Sequence, residues 1–173
     1  MDGAPVTDPG AVGAALIEPL RALGRPVELV RASSFWKDAS LRLEFGREDP
    51  DAYLDWLDAG ALRREVLDAA VDGAYLPSLR DPATNRSTRA APRAIADGTV
   101  LVVAGTFLLG LGLPFDVSVH LSLSRAARER RFPPDEAWTL PAFDRYEAEV
   151  SPADLADVVV RLDRPQHPAV LGL

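Results

Sequence analysis

Two apolar runs in the second half of the chain constrain its fold more than any other feature. Residues 99–104 and 117–123 are rich in β-branched side chains and contain no acidic residue, lysine or arginine. Runs of this kind are typical of strands that are buried on both faces of a parallel sheet. Because parallel strands are joined by helical crossovers, the sequence predicts an α/β protein with a parallel sheet.

Helical and extended patterns alternate along the rest of the chain. Apolar residues recur at helical spacing over residues 9–24, with Pro19 as a kink, and a short strand is predicted at 27–31. Residues 73–93 are rich in Pro, Asp, Asn, Ser and Thr and are predicted to form a long exposed connection, which often carries function. Further helices are predicted after Asp49-Pro50 and over residues 61–71, 125–131 and 140–150, and a last strand over 157–162.

The composition bounds the size and the chemistry of the protein. Its 173 residues, of which 47% are hydrophobic, allow one domain over residues 1–173 with a single core. The absence of cysteine excludes a disulfide scaffold, an iron–sulfur cluster and a cysteine-rich zinc site. The two histidines, His120 and His167, are isolated in the sequence, so no metal site is predicted.

The charge and the hydropathy pattern narrow the set of partners. A formal net charge of -7 disfavours nonspecific binding to nucleic acid or to an anionic membrane, so neither is an expected partner. The longest apolar stretch, residues 100–115, contains glycine and proline. It is shorter than the roughly 20 residues of a membrane-spanning helix. No cationic signal segment precedes it, and a cytoplasmic protein is expected.

One segment near the amino terminus has the form of an anion-binding loop. Residues 2–10 contain two glycines and lead into an Ala/Leu-rich helix, as a phosphate-binding loop would. The single lysine, Lys37, lies elsewhere in the sequence. Amides at the start of the helix could still hold one anion weakly. The alternative is an ordinary start of a helix that Asp8 caps.

Four further motifs carry a resemblance. They are Asp-Pro-Asp-Ala-Tyr at 49–53, the turn at 81–86, the strand and glycine at 100–105, and Arg130-Arg131 after a strand. Together they resemble the uridine kinase family of P-loop nucleoside kinases, and most closely its actinobacterial members with an irregular phosphate loop. The resemblance implies a three-layer P-loop kinase sandwich with a parallel sheet of order 2-3-1-4-5. It also implies a lid-like helical region over residues 124–150.

In that fold the first strand lies at the centre of the sheet and runs into the phosphate loop. Only Met1-Asp2 precedes Gly3 here, so the central strand is expected to be missing. An open slot would leave buried backbone groups unpaired, at about 1–3 kcal/mol for each group. Three outcomes are open: a native start upstream, a gap that closes, or a strand supplied by another segment or a partner chain.

The chain departs from the family at each position where the resemblance implies a catalytic group. The family's Gly-Lys-Ser/Thr corresponds to Asp-Pro-Gly at residues 8–10, its catalytic Asp to Ser33, and its acid before a glycine to Ala104. One unit charge about 4 Å away is worth roughly 4 kcal/mol at an effective dielectric near 20. Base catalysis is worth about 10²- to 10⁴-fold. Phosphorylation of a nucleoside by ATP is therefore predicted to be lost or strongly reduced.

Candidate phosphate ligands remain in the loop and in the lid. They are Gly3 and Gly10, with their backbone amides, and the lid arginines Arg130 and Arg131. Apart from the resemblance, the two arginines are typical of a solvated helix face that pairs with neighbouring acids.

The positions implied to bind the nucleoside are better preserved. Glu48 matches an acid on the ribose hydroxyls, Asp81 matches the Asp of the base-and-ribose turn, and Arg86 lies one residue short of that turn's arginine. Arg80 and Asn85 replace the Tyr and His that read the pyrimidine. We therefore expect a polar ligand pocket without the original preference for uracil. The alternative for Glu48 and Asp81 is helix or turn capping.

Two functions of different class follow from these patterns. In the first, the chain has a nucleoside-kinase fold without phosphotransfer and binds a nucleoside, a related polar ligand or a partner. In the second, it is an active but unconventional nucleoside or small-molecule kinase that uses ATP, magnesium and the two lid arginines. The first is favoured. A homo-oligomer or a strand-supplying partner fits either function, and a different strand order would indicate an α/β binding domain outside the P-loop group.

Overall fold

The computed structural model describes residues 1–164 and 166–172. The strands are β1 (Asp2–Gly3), β2 (Val27–Arg31), β3 (Ala74–Tyr75), β4 (Arg93–Ala94), β5 (Val100–Ala104), β6 (Val119–Ser122), β7 (Val158–Arg161) and β8 (Ala169–Leu171). The α-helices are α1 (Pro9–Ala15), α2 (Ile17–Ala22), α3 (Ala39–Arg42), α4 (Pro50–Leu54), α5 (Ala59–Leu62), α6 (Ala69–Val71), α7 (Arg125–Arg131), α8 (Leu140–Val150) and α9 (Pro152–Leu155). A π-helical segment, Arg63–Asp68, joins α5 to α6, and 3₁₀ turns lie at Pro5–Thr7, Ala32–Phe35 and Pro134–Thr139.

The predicted parallel sheet is confirmed. β2 pairs in parallel with β5, and β6 pairs in parallel with β1 on one side and with β7 on the other. β8 adds an antiparallel edge next to β7. Asp2 forms a parallel bridge with Gly105, directly after β5, and thereby joins the two halves. The order is β2-β5-β1-β6-β7-β8, in which the five parallel strands have the predicted order 2-3-1-4-5.

The central strand is short rather than missing, which corrects the expectation that it would be absent. The Met1 nitrogen donates to the Val103 carbonyl (2.8 Å), and Gly3 N donates to the Gly105 carbonyl (3.0 Å). Gly105 N in turn donates to the Met1 carbonyl (3.0 Å). The first three residues therefore satisfy the buried backbone groups at this end of β5, while β6 is paired on the other side. At these ends of β5 and β6 the slot is filled by residues 1–3 of the chain.

The helix predicted over residues 9–24 is divided into α1 and α2. Proline at position 19 has no N–H to donate to the Ala15 carbonyl, and its ring crowds that carbonyl, so α1 ends at Ala15. The other predicted helices are present, and several begin at an aspartate or serine side chain that caps a backbone amide, as Asp49 does for α4. No helix among the described residues is long and apolar enough to cross a membrane.

The connection over residues 73–93 is mostly exposed, as predicted, but it starts and ends in the short antiparallel pair β3–β4. Tyr75 is 1% exposed, and its hydroxyl donates to Glu28 of β2 (2.6 Å). The base of the loop is therefore fixed against the edge of the sheet.

Helices cover both faces of the sheet. On one face α1 packs on β2 and β5, with Gly13 against the Leu29 side chain. On the other face Val30 packs in a core cluster with Leu62 of α5. Because neighbouring residues of a strand point to opposite faces, Leu29 and Val30 give β2 an apolar side chain on each face of the sheet.

A second core cluster is aromatic and lies beside the carboxyl edge of the sheet. Tyr53 of α4 contacts Phe107, which follows β5, with ring centroids 5.4 Å apart and edge-to-face. Phe107 contacts Phe143 of α8 (4.8 Å). The helices within residues 124–150 are thus packed against the segments that follow the central strands, and their role as a lid stays a prediction.

Candidate functional site

The segment predicted to bind phosphate lies where parallel α/β sheets usually hold ligands, at the carboxyl ends of the strands. It leaves the sheet after β1, makes a 3₁₀ turn at Pro5–Thr7 and enters α1 at Pro9. Between the turn and the helix, Asp8 has a left-handed backbone with φ of 47°. The strand, the loop and the start of the helix therefore follow the course expected of a P-loop.

The start of α1 already carries an anionic group. The Asp8 carboxylate accepts a hydrogen bond from Ala11 N (2.9 Å). Pro5 and Pro9 have no N–H to offer a ligand. Thr7 is buried, and its hydroxyl donates to the Ala4 carbonyl (2.7 Å). The loop thus satisfies several of its own polar groups, in the manner of the capped helix start that the sequence left open as the alternative.

Gly10, the position that matches the hydroxyl residue of the family's loop, is covered by an arginine. A Cβ atom at Gly10 would overlap Nη1 of Arg31, whose side chain is otherwise exposed. Arg31 is the last residue of β2, so its guanidinium reaches across to α1 from the neighbouring strand. Sequence reasoning missed this cation; the signal for it was a charged residue at the carboxyl end of a buried parallel strand.

The two positions that are acidic in the family lie near this loop and carry no carboxylate. Ser33 is half-buried in the 3₁₀ turn after β2. Ala104 is 3% exposed at the end of β5. At the next residue a Cβ atom on Gly105 would lie 2.5 Å from the Ala32 Cβ, so the strands approach closely here. The segments that follow β2 and β5 are therefore close together here, and neither position offers a carboxylate.

The candidates for the nucleoside lie on exposed segments. Glu48 is exposed just before α4, and Arg86 is exposed in the connection. The Asp81 carboxylate accepts hydrogen bonds from the backbone of Thr84 (2.8 Å) and Ala83 (3.0 Å). These bonds, the one from Thr84 above all, lower the pKa of Asp81. Asp81 thus caps its own turn, and its contact with a ligand stays a prediction.

The two residues that replace the family's pyrimidine readers are engaged within the chain. Arg80 pairs with Asp38 (3.0 Å) and donates to the Asn85 carbonyl (2.8 Å). The Asn85 side-chain oxygen accepts from Ala39 N at the start of α3 (3.0 Å). Both side chains therefore join the exposed connection to α3.

Two of the three tryptophans form a packed group with a buried arginine. Trp36 and Trp56 have ring centroids 5.2 Å apart, and the Arg42 guanidinium lies over the Trp56 ring (4.7 Å). Arg42 is 8% exposed and donates to the Lys37 carbonyl (2.9 Å). A small pocket opens beside this group, lined by Trp36, Tyr53, Leu54, Leu57, Thr106 and Phe107. Its lining is apolar and mostly aromatic apart from Thr106.

Three of the four arginines of α7 lie in different environments. Arg130 is exposed at the end of the helix. Arg131 donates to the carbonyls of Leu162 (2.5 Å) and Asp163 (3.0 Å), which follow β7. Arg128, which the sequence did not single out as a ligand, is 5% exposed, and both of its Nη atoms make internal hydrogen bonds. The two predicted lid arginines therefore differ: Arg130 is exposed, whereas Arg131 is bound to backbone carbonyls that follow β7.

A comparison with solved structures supports the class of fold. A possible uridine kinase from Bacillus stearothermophilus is similar with a TM-score of 0.73 and 19% identity, over 91% of this chain and 84% of that chain. At this identity the likeness concerns the fold, which is that of a P-loop kinase. No protein-family model and no curated protein matches the sequence.

Proposed function

We propose that this chain is a P-loop-kinase-fold protein that binds a nucleoside or a related small polar ligand and has lost most or all phosphotransfer. The observation that carries the proposal is the Asp8 carboxylate bound to Ala11 N, at the start of the helix where a phosphate group would be held. A phosphate at this place would have to displace a carboxylate or lie beside it.

The electrostatic consequence is large on the scale of catalysis. Two unit charges about 4 Å apart interact by roughly 1 kcal/mol in water and 4 kcal/mol at an effective dielectric near 20. The second figure corresponds to about a thousandfold in rate. Arg31 offsets part of this repulsion, because its guanidinium lies against Gly10.

The residues present do not fit ATP with magnesium. Gly10 offers no hydroxyl and Ala104 no carboxylate to a metal ion, and Ser33 has no useful basicity near neutral pH. The expected loss from a missing base alone is about 10²- to 10⁴-fold. These absences act together with the negative charge of Asp8 against the transfer of a phosphate group from ATP.

The pocket beside the aromatic cluster supports binding of a ligand rather than transfer of a phosphate group. The small pocket beside Trp36 and Tyr53 offers aromatic faces and Thr106, whose hydroxyl donates to the Gly3 carbonyl (2.9 Å) and is left as an acceptor. Ligand sites are commonly apolar cavities with a few placed polar groups. Because Arg80 and Asn85 are engaged with α3, a preference for uracil is not part of the proposal.

A second candidate function rests on Arg31. Its guanidinium lies against Gly10 of α1, the residue that follows the position of the family's lysine. Arg130 is exposed at the end of α7. An unconventional kinase would use these arginines in place of the lysine. ATP-dependent phosphorylation that disappears in Arg31→Ala and Arg130→Ala would favour this candidate.

A titration with matched variants separates the two functions. Thermal stabilisation is measured with ATP and magnesium, with uridine and with cytidine, because a ligand that binds the folded state raises the unfolding midpoint. We expect a shift with a nucleoside at millimolar concentration and none with ATP. A shift with ATP and transfer of its phosphate would contradict the proposal.

Asp8→Asn directly tests the effect of the Asp8 carboxylate at the start of α1. Asparagine caps a helix about as well as aspartate, so the loop is retained while its charge is removed. We expect the affinity for ATP to rise at least about fivefold, the effect of about 1 kcal/mol. Asp49→Asn is the matched control, since the Asp49 carboxylate caps another helix, α4, by accepting from Asp51 N and Ala52 N. If the affinity for ATP is the same in Asp8→Asn as in the unmodified protein, the proposed repulsion between Asp8 and a phosphate is contradicted.

A further inference from the structure

A buried polar cluster lies beneath the phosphate loop, and the proposed function does not use it. Asp2 of the central strand is 1% exposed. One carboxylate oxygen accepts from Leu108 N (2.9 Å). The other lies 2.7 Å from Nδ1 of His120 and accepts from the Tyr146 hydroxyl (3.2 Å). Burial, followed by the charge of Asp2, raises the pKa of Tyr146, which keeps its hydroxyl a donor.

A second group of charges lies next to Asp2 and its partners. Nη1 of Arg128 donates to the Leu123 carbonyl (3.0 Å) and to Glu147 (3.0 Å). Nη2 donates to Asp144 (3.2 Å). The guanidinium thereby joins the end of β6 to α8. Its Nε is fully buried and has no hydrogen-bond partner among the described residues.

The two groups meet at a small cavity. His120, Arg128 and Glu147 line it together with Gly3 and Ala4 of the phosphate loop. The space is sufficient for about one water molecule. Nε2 of His120 is buried and, within residues 1–164 and 166–172, has no hydrogen-bond partner. Glu147 lies 4.0 Å from this Nε2, which is too far for a direct hydrogen bond.

We propose that one water molecule occupies this cavity, accepts a hydrogen bond from Nε of Arg128 and donates one to Nε2 of His120. Guanidinium nitrogens only donate, whereas a neutral imidazole that donates from Nδ1 to Asp2 presents Nε2 as an acceptor. Water satisfies both because it accepts and donates. Glu147, whose Oε1 lies 4.0 Å from Nε2, accepts the second hydrogen bond that the water donates.

Other occupants fit the cavity less well. An anion would meet the carboxylates of Asp2 and Glu147. A metal ion would meet the positive charge of Arg128, and the described residues contain no group of three metal-ligating side chains. The chemistry of the lining therefore favours a neutral molecule of the size of water.

This water would hold the shortest strand of the sheet in place. It fixes the tautomer of His120, which in turn orients Asp2, and β1 has only two residues in its ladder. The first residues of the phosphate loop, Gly3 and Ala4, line the same cavity. The bound water thus joins the loop to α7 and α8 through buried side chains.

The unmodified protein provides the first test. Nitrogen-15 NMR at pH 7 reports the protonation of both ring nitrogens of His120, and cross-relaxation from water to the amides of Ala4 and Leu121 reports a long-lived internal water. We expect a neutral ring protonated at Nδ1 and a positive water signal. A doubly protonated ring, held between Asp2 and Glu147 without a water signal, would overturn the proposal.

A pair of histidine variants provides the second test. His120→Asn keeps a donor near the Nδ1 position and removes Nε2, while His167→Asn changes an exposed histidine. We expect His120→Asn to lose the water signal and to lower the thermal midpoint by about 2–6 °C. We expect His167→Asn to keep both the water signal and the thermal midpoint of the unmodified protein. A retained water signal in His120→Asn would contradict the proposal; if this variant does not fold, Arg128→Lys, which lacks Nε, is measured for the same loss.

Discussion

Asp8 combines two properties that no other residue of the loop has. Its backbone is left-handed, with φ of 47°, and its carboxylate caps α1. Aspartate tolerates this conformation better than most residues with a side chain. A glycine at this position would leave the amides at the start of α1 available to a ligand. The Asp8 carboxylate instead accepts the hydrogen bond of Ala11 N. The sequence left capping and phosphate binding open, and the geometry favours capping.

Gly105 offers a stability test at the same scale. Its Cβ position lies 2.5 Å from the Ala32 Cβ, so Gly105→Ala forces β5 away from the turn after β2. We expect a loss of about 1–3 kcal/mol in the free energy of unfolding, as for other overpacked sites. Urea denaturation measures it. Gly60→Ala is the control, because the nearest atom lies at 3.5 Å and alanine favours the helix, so that variant should be equally or more stable.

At the scale of elements, the exposed connection is held by its contacts with α3. Arg80 pairs with Asp38, and Asn85 accepts from Ala39 N. Hydrogen bonds from Ser40, first that of its backbone, lower the pKa of Asp38, which keeps this carboxylate charged for the pair. The sequence predicted a long functional loop, but it did not indicate that two of its polar residues would join another element.

Arg80→Ala should loosen this connection without unfolding the protein. The pair is partly exposed, so the expected loss in global stability is below about 1 kcal/mol. Local opening should increase, because the variant also loses the bond to the Asn85 carbonyl. Hydrogen exchange at Ala39 N and Thr88 N measures the effect. Arg86→Ala, which changes an exposed side chain of the same loop, should leave the exchange rates unchanged.

At the scale of the whole molecule, acidic side chains join distant parts of the chain. Asp157 accepts from the backbone and the hydroxyl of Ser118, both at 2.7 Å, and Asp163 accepts from Ser124 N (2.8 Å). These bonds lower the pKa of both carboxyls, for Asp157 through the Ser118 hydroxyl first and for Asp163 through the Ser124 backbone. They connect the two ends of β6 with the segments around β7.

Stability should therefore fall at acid pH. A carboxyl whose pKa is lower in the folded state than in the unfolded state stabilises the fold above the unfolded value, 3.8 for Asp157, and loses this effect as the pH falls through the folded value. Urea midpoints between pH 7 and pH 3 measure the loss. Asp157→Asn should flatten the curve, whereas Asp97→Asn, on an exposed residue, should not. An identical slope in Asp157→Asn and the unmodified protein would contradict this role.

The sequence by itself determined the elements that depend on local pattern. β-branched runs identified β5 and β6, apolar spacing and caps identified the helices, and Pro19 indicated the break between α1 and α2. The strand order came from the resemblance of a few motifs. These features depend on residues that are close together in the chain. A strand buried on both faces needs a run of apolar residues, and a helix cap needs a particular residue type at one position.

Only the tertiary structure decided the contacts between distant residues. The placement of Met1–Gly3 in the sheet, Arg31 against Gly10, and the cluster around His120 each join segments that lie far apart in sequence. No periodicity announces such contacts, because they depend on which ends of the strands come together after folding. The physical reason is that hydrogen bonds and charges act over a few ångströms in space, whatever the separation along the chain.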